Sequence, residues 1–421
     1  MDRFLVERSG PLRGTVEVGG AKNAALPIMA ACLLTEEESL LDGVPRVTDV
    51  ESMLNILRVL GVECFWNGDT LVLRPGGYTG WTAPYELVSL MRASVCVLGP
   101  LLAKQGRARV PLPGGCVIGL RPIDLHLKGL QALGAEIVMD HGDIVARAER
   151  LCGNTAHVAG PSGSSVLATA NVMMVATLAE GVTIIEQAAC EPEVVDLANF
   201  LIAMGAKIVG HGTSIMHVEG VSRLRGARYR VIADRIEAGT LLMATAMLGG
   251  DVLVRGARED HLRAVVDKLI EACVTIEQED GGLRVRSTRE LKGVEVTTLP
   301  FPGFPTDLQA PMTALMSVSR GVSLMTEKIY PERFMHVPEL KRMGAQISRE
   351  GPSAIVKGVE RLSGAPVNAS DLRAAAALVL AGLVAENCTE VFGIEHLDRG
   401  YAHLEQKLVS LGARLTRERS S

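Results

Sequence analysis

The sequence predicts an α/β protein with two inside-out, barrel-like domains, each built from three βαβαββ-type repeats. Six amphipathic helical segments each end in a small-residue turn and a short alternating strand, and these turns recur every 68 to 73 residues. Six apolar segments run in phase with them. A fixed period of this kind indicates a repeat architecture. Because 421 residues exceed one typical core, we expect the six repeats to divide three and three.

The six turns define the repeats in order along the chain. They read Leu60-Gly61-Val62, Leu133-Gly134-Ala135, Met204-Gly205-Ala206, Ala272-Cys273-Val274, Met343-Gly344-Ala345 and Leu411-Gly412-Ala413. Each turn predicts the end of an amphipathic helix and the start of an outer strand.

The six apolar segments are of helix length and carry Ala, Leu and Met on nearly every face. They span roughly 24–34, 93–104, 168–180, 238–248, 309–319 and 374–385. A helix that is apolar all round belongs inside a protein or a membrane, and none of these segments has the roughly 18 apolar residues that a bilayer span needs. We therefore expect six buried helices, with the amphipathic helices and the strands outside.

Composition excludes several classes of partner. The net charge is −5 and only 3% of the residues are aromatic, which argues against nucleic acid or an anionic membrane as a partner. The eight cysteines form no CxxC pair and the nine histidines show no zinc spacing, so no metal is expected. The first residues lack the apolar core of a signal peptide, and we expect a reducing cytoplasm.

Polar residues gather at the entrances to the buried helices. The entrances are Gly19-Gly20-Ala21-Lys22-Asn23, Met91-Arg92, Gly163-Ser164-Ser165, Asp234-Arg235-Ile236-Glu237, Pro305-Thr306-Asp307 and Ser370-Asp371-Leu372-Arg373. Helix N-termini offer unpaired N–H groups and partial positive charge. Ordinary capping is the alternative for Ser, Asp and Asn, but Lys22, Arg92 and Arg373 are not usual caps. The set predicts an anion-binding site.

Three further arginines lie in loops that join a strand to the next amphipathic helix. They are Arg121, Arg333 and Arg399, each in a different repeat. Guanidinium groups suit phosphate and carboxylate. A surface position is the default for any single arginine, and only the shared placement of these three favours anion binding.

The loop at 111–124 is longer than its counterparts and rich in Gly and Pro. It carries Cys116 between Gly115 and Val117, five residues before Arg121. Loops of this kind can close over a site, and a thiol in an electropositive loop can act as nucleophile or acid. An inert cysteine is the alternative.

A set of motifs across the chain carries a resemblance to a known family. They are Gly20-Ala21-Lys22-Asn23, Gly114-Gly115-Cys116, Arg121-Pro122-Ile123-Asp124-Leu125-His126, Phe304-Pro305-Thr306-Asp307-Leu308-Gln309, Arg333-Phe334-Met335-His336, Asp371-Leu372-Arg373 and Asp398-Arg399-Gly400-Tyr401. In identity and order they resemble the UDP-N-acetylglucosamine 1-carboxyvinyltransferases, the enolpyruvyl transferases that begin peptidoglycan synthesis. EPSP synthases share the sixfold repeat but lack this cysteine loop.

The resemblance implies the same fold as the repeats do. It places one domain at 22–230, carrying the Cys116 loop, and the other at 1–21 with 231–421, with crossings near Ala21 and Val231 and the active site in the cleft between them. It implies a cytoplasmic enzyme of cell-wall synthesis, and so of cell shape and division, that uses no metal or organic cofactor.

For phosphoenolpyruvate, the resemblance implies a set of cations and an acid–base pair. The cations are Lys22, Arg92, Arg121, Arg333, Arg373 and Arg399. Cys116 corresponds to the acid that protonates C3, and Asp307 to the proposed base; Lys22 and Arg399 join them as catalytic residues. Asp307 and Asp371 are candidates to offset positive charge at C2. Alkylation of Cys116 by the epoxide fosfomycin is implied as well.

For UDP-N-acetylglucosamine, the resemblance implies contacts in both domains. The residues are Asn23, Arg92, Arg121, Asp124, Leu125, Ser165, Val166, Asp307 and Ile329. The alternative for Asp124 is a helix N-cap, and the alternative for Ser165 is the same.

One segment departs from the family pattern. Leu167 replaces a glycine of the usual Ser-Val-Gly-Ala-Thr, and no lysine precedes it. Because a leucine tolerates positive φ poorly, we expect a rearranged turn with activity retained. Two other functions stay open: an enolpyruvyl transferase with a different acceptor, and a non-catalytic protein that binds a nucleotide sugar. The combination of Lys22, Cys116, Asp307 and Arg399 argues against the latter.

Overall fold

The computed structural model describes residues 2–113 and 123–419. These residues form two compact units. One comprises 2–19 with 233–419, hereafter the split unit, and the other lies within 20–232, hereafter the continuous unit.

The strands are short, mostly three to six residues long. In chain order they are β1 Arg3–Glu7, β2 Leu12–Glu17, β3 Ser39–Asp42, β4 Glu63–Asn67, β5 Thr70–Arg74, β6 Arg107–Pro111, β7 Glu136–Asp140, β8 Asp143–Arg147, β9 Thr155–His157, β10 Ala159–Gly160, β11 Gly163–Ser164, β12 Val182–Glu186, β13 Lys207–Val209, β14 Ile215–Glu219, β15 Arg228–Arg230, β16 Gly250–Arg255, β17 Thr275–Glu279, β18 Gly282–Ser287, β19 Glu295–Thr297, β20 Val322–Thr326, β21 Gln346–Glu350, β22 Ser353–Lys357, β23 Pro366–Asn368, β24 Thr389–Phe392 and β25 Arg414–Glu418.

Apart from the four-residue α3, which was not predicted, the α-helices are of two kinds, buried and amphipathic, as the sequence predicts. In chain order they are α1 Lys22–Ala31, α2 Thr48–Leu60, α3 Tyr85–Val88, α4 Leu98–Gln105, α5 Asp124–Ala132, α6 Val166–Ala176, α7 Pro192–Ala203, α8 Arg235–Leu248, α9 Glu259–Glu271, α10 Gln309–Met316, α11 His336–Arg342, α12 Leu372–Val384 and α13 Leu404–Ser410. Short 3₁₀ helices span Cys32–Leu34, Arg92–Val97, Thr306–Leu308 and Ile394–Arg399.

One sheet plan recurs through the described chain. In the sheet β15-β3-β5-β4 the first pair is parallel and the other two pairs are antiparallel. Four more sheets follow the same plan, namely β9-β12-β14-β13, β2-β16-β18-β17, β19-β20-β22-β21 and β23-β24-β1-β25. The sheet β6-β8-β7 has a parallel bridge from Thr82 to Arg109 in place of the fourth strand. The sixfold repeat is therefore confirmed.

The six predicted buried helices are confirmed as the core of the repeats. They are α1, α4 with its preceding 3₁₀ turn, α6, α8, α10 with its 3₁₀ turn, and α12, and nearly every residue in them is buried. In the two that begin as 3₁₀ helices, a proline lies in the first α-turn, at Pro100 and Pro311. Because proline has no N–H to donate to the residue four back, the preceding turn tightens.

The turn after each amphipathic helix needs a left-handed residue. The five glycines at this position have φ between 90° and 104°, a conformation that glycine adopts without steric cost. Cys273 occupies the sixth position with φ 72°. In the described part of the chain, no helix is long and apolar enough to cross a membrane.

Candidate functional site

Three buried helices of the split unit begin close together. Asp234 caps α8, Asp307 lies in the 3₁₀ turn before α10, and Arg373 is the second residue of α12. Helix α10 packs against both α8 and α12. The repeat therefore places polar residues from three successive helix starts at one end of the core, as the sequence predicts for these entrances.

The centre of this region is a cluster of one half-buried carboxylate and two buried guanidinium groups, hereafter the arginine–aspartate cluster: Asp307, Arg333 and Arg373. Arg333 Nη1 donates to Asp307 Oδ1 at 2.8 Å, and Arg373 Nη2 donates to Oδ2 at 2.7 Å. Arg333 is 6% exposed and Arg373 3%. The cluster thus carries an excess of one positive charge in a largely dehydrated place, which suits an anionic ligand.

The two arginines decide the protonation state of Asp307. Burial by itself raises the pKa of this carboxyl, but the guanidinium groups of Arg373 and Arg333 outweigh burial and hold the pKa well below its usual range. Burial works against the charge on Arg373 too, yet Asp307 raises the pKa of its guanidinium above the ordinary value. Asp307 is therefore an anion and Arg373 a cation at neutral pH.

Further contacts fix the arginines in place. The guanidinium of Arg373 lies over the ring of Tyr401, 5.3 Å from its centroid, and the Tyr401 hydroxyl is 2.9 Å from the hydroxyl of Thr240. Arg333 also donates to Thr306 Oγ1 at 3.0 Å. Asp371 acts as the N-cap of α12, where it accepts from the backbone N–H groups of Arg373 and Ala374.

Two other predicted residues of the split unit lie on separate segments. Ile329 is half-buried in the turn after β20, and its N–H donates to Glu327 Oε1 at 2.8 Å. Arg399 ends the 3₁₀ helix Ile394–Arg399 and is half-buried, two residues before the Tyr401 ring that supports Arg373.

In the continuous unit, Lys22 is buried and already paired. Its ammonium Nζ lies 2.9 Å from Oδ2 of Asp49, which is buried near the start of α2. Asp49 was not singled out from the sequence, where it reads as one of several acidic residues favoured in the first turn of a helix. Asn23 follows Lys22 on α1 and is half-buried.

A buried amide joins the segments that carry Arg92 and Asp124. Asn171 of α6 donates to the Val95 carbonyl at 3.0 Å, accepts from the Gly99 N–H at 2.8 Å, and lies 3.0 Å from Nδ1 of His126 on α5. Burial, helped by the charge of Arg92, lowers the pKa of His126 to about 3. The imidazole is therefore neutral, and Arg92 lies near the first turn of α5.

The start of α5 carries two predicted nucleotide contacts. Asp124 is exposed and is the first helical residue, with Ile123 at the N-cap position, so the capping alternative for Asp124 is wrong. Leu125 follows and is half-buried.

The start of α6 shows no positive φ at Leu167, the premise on which a rearranged turn was expected. Ser165 is the N-cap, and its Oγ accepts from the Ala168 N–H at 3.3 Å, so the capping alternative holds for this serine. Val166 and Leu167 are the first two helical residues. Leu167 is not among the residues with positive φ, which include Gly163. The leucine is accommodated in a helical conformation, and it does not force a strained turn.

The structure places the remaining predicted residues as follows. Cys116, Arg121 and most of the 111–124 loop lie outside the described residues. Among residues 2–113 and 123–419, no group of three or more His, Cys, Asp or Glu side chains has the arrangement of a metal site.

Comparison with known proteins gives a consistent set of relatives. Residues 6–408 match the family described as EPSP synthase (3-phosphoshikimate 1-carboxyvinyltransferase). UDP-N-acetylglucosamine 1-carboxyvinyltransferase 2 of Carboxydothermus hydrogenoformans is 54% identical over 419 residues, which cover 99% of each chain. The UDP-N-acetylglucosamine 1-carboxyvinyltransferase of Myxococcus xanthus is 52% identical over 423 residues, which cover 100% of each.

Solved structures agree on the fold. The enolpyruvyl transferase NikO from Streptomyces tendae matches with a TM-score of 0.88 at 22% identity, covering 99% of this chain and 98% of that one. EPSP synthase from Acinetobacter baumannii matches with a TM-score of 0.74 at 17% identity, covering both chains fully. The predicted fold class is confirmed.

Proposed function

The chain belongs to the EPSP synthase family, and on that premise we propose that it transfers the enolpyruvyl group of phosphoenolpyruvate to the 3′-hydroxyl of UDP-N-acetylglucosamine, with release of phosphate. The carrying observation is full-length identity of 52 to 54% to enzymes that bear this activity in their names. It is an enzyme, and its product would enter peptidoglycan synthesis.

The arginine–aspartate cluster supports the choice of an anionic substrate. Phosphoenolpyruvate carries a phosphate and a carboxylate, and two buried guanidinium groups can bind such oxygens in bidentate fashion. In the described structure Asp307 holds both guanidinium groups. A substrate anion would compete with this carboxylate for them. Arg399 from the same unit, and Lys22, Arg92 and Arg121 from the other, complete the proposed set of cations.

The reaction consists of an addition and an elimination. In the addition, the sugar 3′-oxygen bonds to C2 of phosphoenolpyruvate, the hydroxyl proton leaves to a base, and C3 gains a proton from an acid. In the elimination, the C2–O bond to phosphate breaks and C3 loses a proton, which restores the double bond as an enol ether. We assign the acid to Cys116 and the base to Asp307.

The charge state of Asp307 fits a base only when a substrate is present. While both arginines hold it, its pKa is well below the usual range, so the carboxylate is ionised but weakly basic. Drawing the guanidinium groups toward a substrate anion would raise this pKa toward the range in which proton transfer is efficient. Asp307 and Asp371 would also offset positive charge at C2.

We propose that the sugar nucleotide is bound by residues of both units. Asp124 and Leu125 at the start of α5 would contact the nucleotide, and Ser165 and Val166 at the start of α6 would offer backbone N–H groups to the diphosphate. Asn23, Arg92, Arg121, Asp307 and Ile329 complete the set. Because these residues belong to 22–230 and to the remainder of the chain, one active site between the two units is part of the proposal.

We place the activity in the cytoplasm, without metal or organic cofactor. The seven cysteines of the described residues are free thiols, which suits a reducing compartment. Through peptidoglycan, the reaction would serve cell shape and division.

The test is phosphate release from phosphoenolpyruvate, measured with and without UDP-N-acetylglucosamine. We expect release that depends on the sugar nucleotide, and loss of turnover in Cys116→Ser. Release that is independent of the sugar would refute the acceptor, and unchanged turnover in Cys116→Ser would remove the cysteine as the acid. Nucleotide binding without any release would favour the non-catalytic alternative.

A further inference from the structure

A buried carboxylate that the proposed chemistry does not use lies behind the arginine–aspartate cluster. Glu327 follows β20 and is fully buried, with 0% of its surface exposed. A buried carboxylate is stable only if its oxygens are well supplied with hydrogen-bond donors. Glu327 meets this requirement, because four groups from three segments donate to it.

One oxygen of Glu327 organises the turn that carries Ile329. Its Oε1 accepts from the N–H groups of Ile329 at 2.8 Å and Tyr330 at 3.0 Å, and from the Thr298 hydroxyl at 2.6 Å. Thr298 Oγ1 in turn accepts from the Lys328 N–H at 3.0 Å. The backbone of 328–330 is therefore fixed by a single side chain and its threonine partner.

The other oxygen of Glu327 leads to the proposed catalytic groups. Its Oε2 accepts from the Thr306 hydroxyl at 2.8 Å. With its hydrogen directed to Glu327, Thr306 Oγ1 presents a lone pair to Arg333 Nη1 at 3.0 Å, and the same Nη1 donates to Asp307 at 2.8 Å. Each hydrogen bond between Glu327 and Asp307 therefore has one defined donor: Thr306 donates to Glu327, and Arg333 donates to both Thr306 and Asp307.

From this arrangement we infer that Glu327 is a positioning residue for the proposed reaction. Through Thr306 it fixes the guanidinium of Arg333 and the carboxylate of Asp307, and through the turn it fixes Ile329. The inference rests on the proposed function, since it names what these groups are positioned for. Misplacement of reacting groups by about 1 Å can lower a rate by on the order of 10²-fold.

The decisive variants separate the charge of Glu327 from its shape. Glu327→Gln keeps the side-chain volume, and its amide oxygen can still accept from the N–H groups of the turn. Its amide NH₂ group then faces the Thr306 hydroxyl in place of the acceptor Oε2. Thr306→Val removes the hydroxyl that links Glu327 to Arg333, and Thr306→Ser restores it. The control is Thr245→Val near the far end of α8, where a fully buried hydroxyl donates to the Leu241 carbonyl within the same helix.

We expect kcat/KM for phosphoenolpyruvate to fall on the order of 10²-fold in Glu327→Gln and Thr306→Val. Thr306→Ser should recover most of this loss, and Thr245→Val should keep wild-type kinetics. Thr306→Val should lower the thermal midpoint more than Thr245→Val does, because it takes a donor from the buried Glu327 carboxylate. Kinetics are therefore measured well below both midpoints, and the recovery in Thr306→Ser separates the hydroxyl link from stability.

Two outcomes would overturn the positioning role of Glu327. If Thr306→Val folds and turns over like wild type, the positioning role is overturned. If Thr306→Ser is as slow as Thr306→Val, the hydroxyl link is not the cause, and the role is likewise overturned. Should Glu327→Gln not fold, the threonine pair still decides. An inactive wild type would instead overturn the proposed function, which is a distinguishable failure.

Discussion

Replacing Asp307 with alanine should destabilise the protein and make its stability depend on added anion. The substitution removes the shared partner of Arg333 and Arg373, whose side chains are 7% and 4% exposed. Breaking a buried ion pair by removing one partner typically costs about 3–5 kcal/mol. Arg333 keeps its hydrogen bond to Thr306, and Arg373 keeps its contact with the Tyr401 ring. The Asp307 side chain is also 25% exposed. We therefore expect a loss at the lower end of this range, about 3 kcal/mol of unfolding free energy.

Urea unfolding followed by far-ultraviolet circular dichroism measures this loss. The matched control is Asp251→Ala, because Asp251 also bridges two arginines, Arg284 and Arg286, but on an exposed sheet surface. Exposed ion pairs contribute little, so this variant should unfold almost as wild type does. The slope of unfolding free energy against urea should be unchanged in both variants.

Inorganic phosphate provides the second part of the test. In Asp307→Ala the two guanidinium groups lack their carboxylate, and phosphate should bind there and raise the unfolding midpoint more than it does in wild type. Equal destabilisation by Asp307→Ala and Asp251→Ala, or equal stabilisation of wild type and Asp307→Ala by phosphate, would refute the account of the cluster as a buried anion site.

The pH dependence of this effect has a definite sign. The pKa of Asp307 is lower in the folded state than in the unfolded chain. Its stabilising contribution is therefore complete above the unfolded pKa of about 4 and is lost only as the pH falls through the lower folded pKa. The difference between wild type and Asp307→Ala should stay constant from neutral pH down to about pH 5 and shrink only in stronger acid.

Three further predictions follow from other parts of the chain. Cys273→Gly should raise the free energy of unfolding by about 1 kcal/mol in urea titrations, because glycine relieves the left-handed backbone at φ 72°; a lower midpoint would contradict the repeat argument. Burial raises the pKa of Asp196 to about 6, although hydrogen bonds from the Tyr229 hydroxyl and the Ile232 N–H act to lower it. The protonated carboxyl therefore stabilises the folded state fully below the unfolded pKa, and this stabilisation is lost as the pH rises through about 6. Wild type should lose stability relative to Asp196→Asn between pH 4 and 7, and a pH-independent difference would contradict this prediction. Fosfomycin with UDP-N-acetylglucosamine should add one covalent group at Cys116 by peptide mass spectrometry, and labelling elsewhere would count against its proposed role.

The architecture could be predicted because the same helix–turn–strand pattern occurs six times in the sequence. The helix–turn–strand period does not depend on a glycine in every turn, because Cys273 adopts the left-handed conformation of its five glycine counterparts. The entrances to the buried helices could be recognised for the same reason, since Asp307 and Arg373 occupy equivalent positions in successive repeats. Their direct contact follows from the packing of α10 against α12.

The supporting residues could not be predicted from one sequence. Glu327 reads as an ordinary acidic residue at the end of a strand, and only the fold shows that it is fully buried beneath Thr306. Asp49 is similar, because its pairing with Lys22 joins two different helices. The premise of positive φ at Leu167 was wrong for a local reason, because the helix starts one residue before it. Whether the turn differs from that of the relatives stays a prediction.

The most direct test of the proposed function follows the carbon atoms of the donor. Phosphoenolpyruvate labelled with ¹³C at C2 would be incubated with UDP-N-acetylglucosamine and the protein, and the products analysed by mass spectrometry and NMR. The account predicts a sugar nucleotide that carries the label in an enol ether at the 3′-oxygen, with one phosphate released for each product formed. Unlabelled sugar nucleotide, with the label left in phosphoenolpyruvate or recovered as pyruvate, would contradict it.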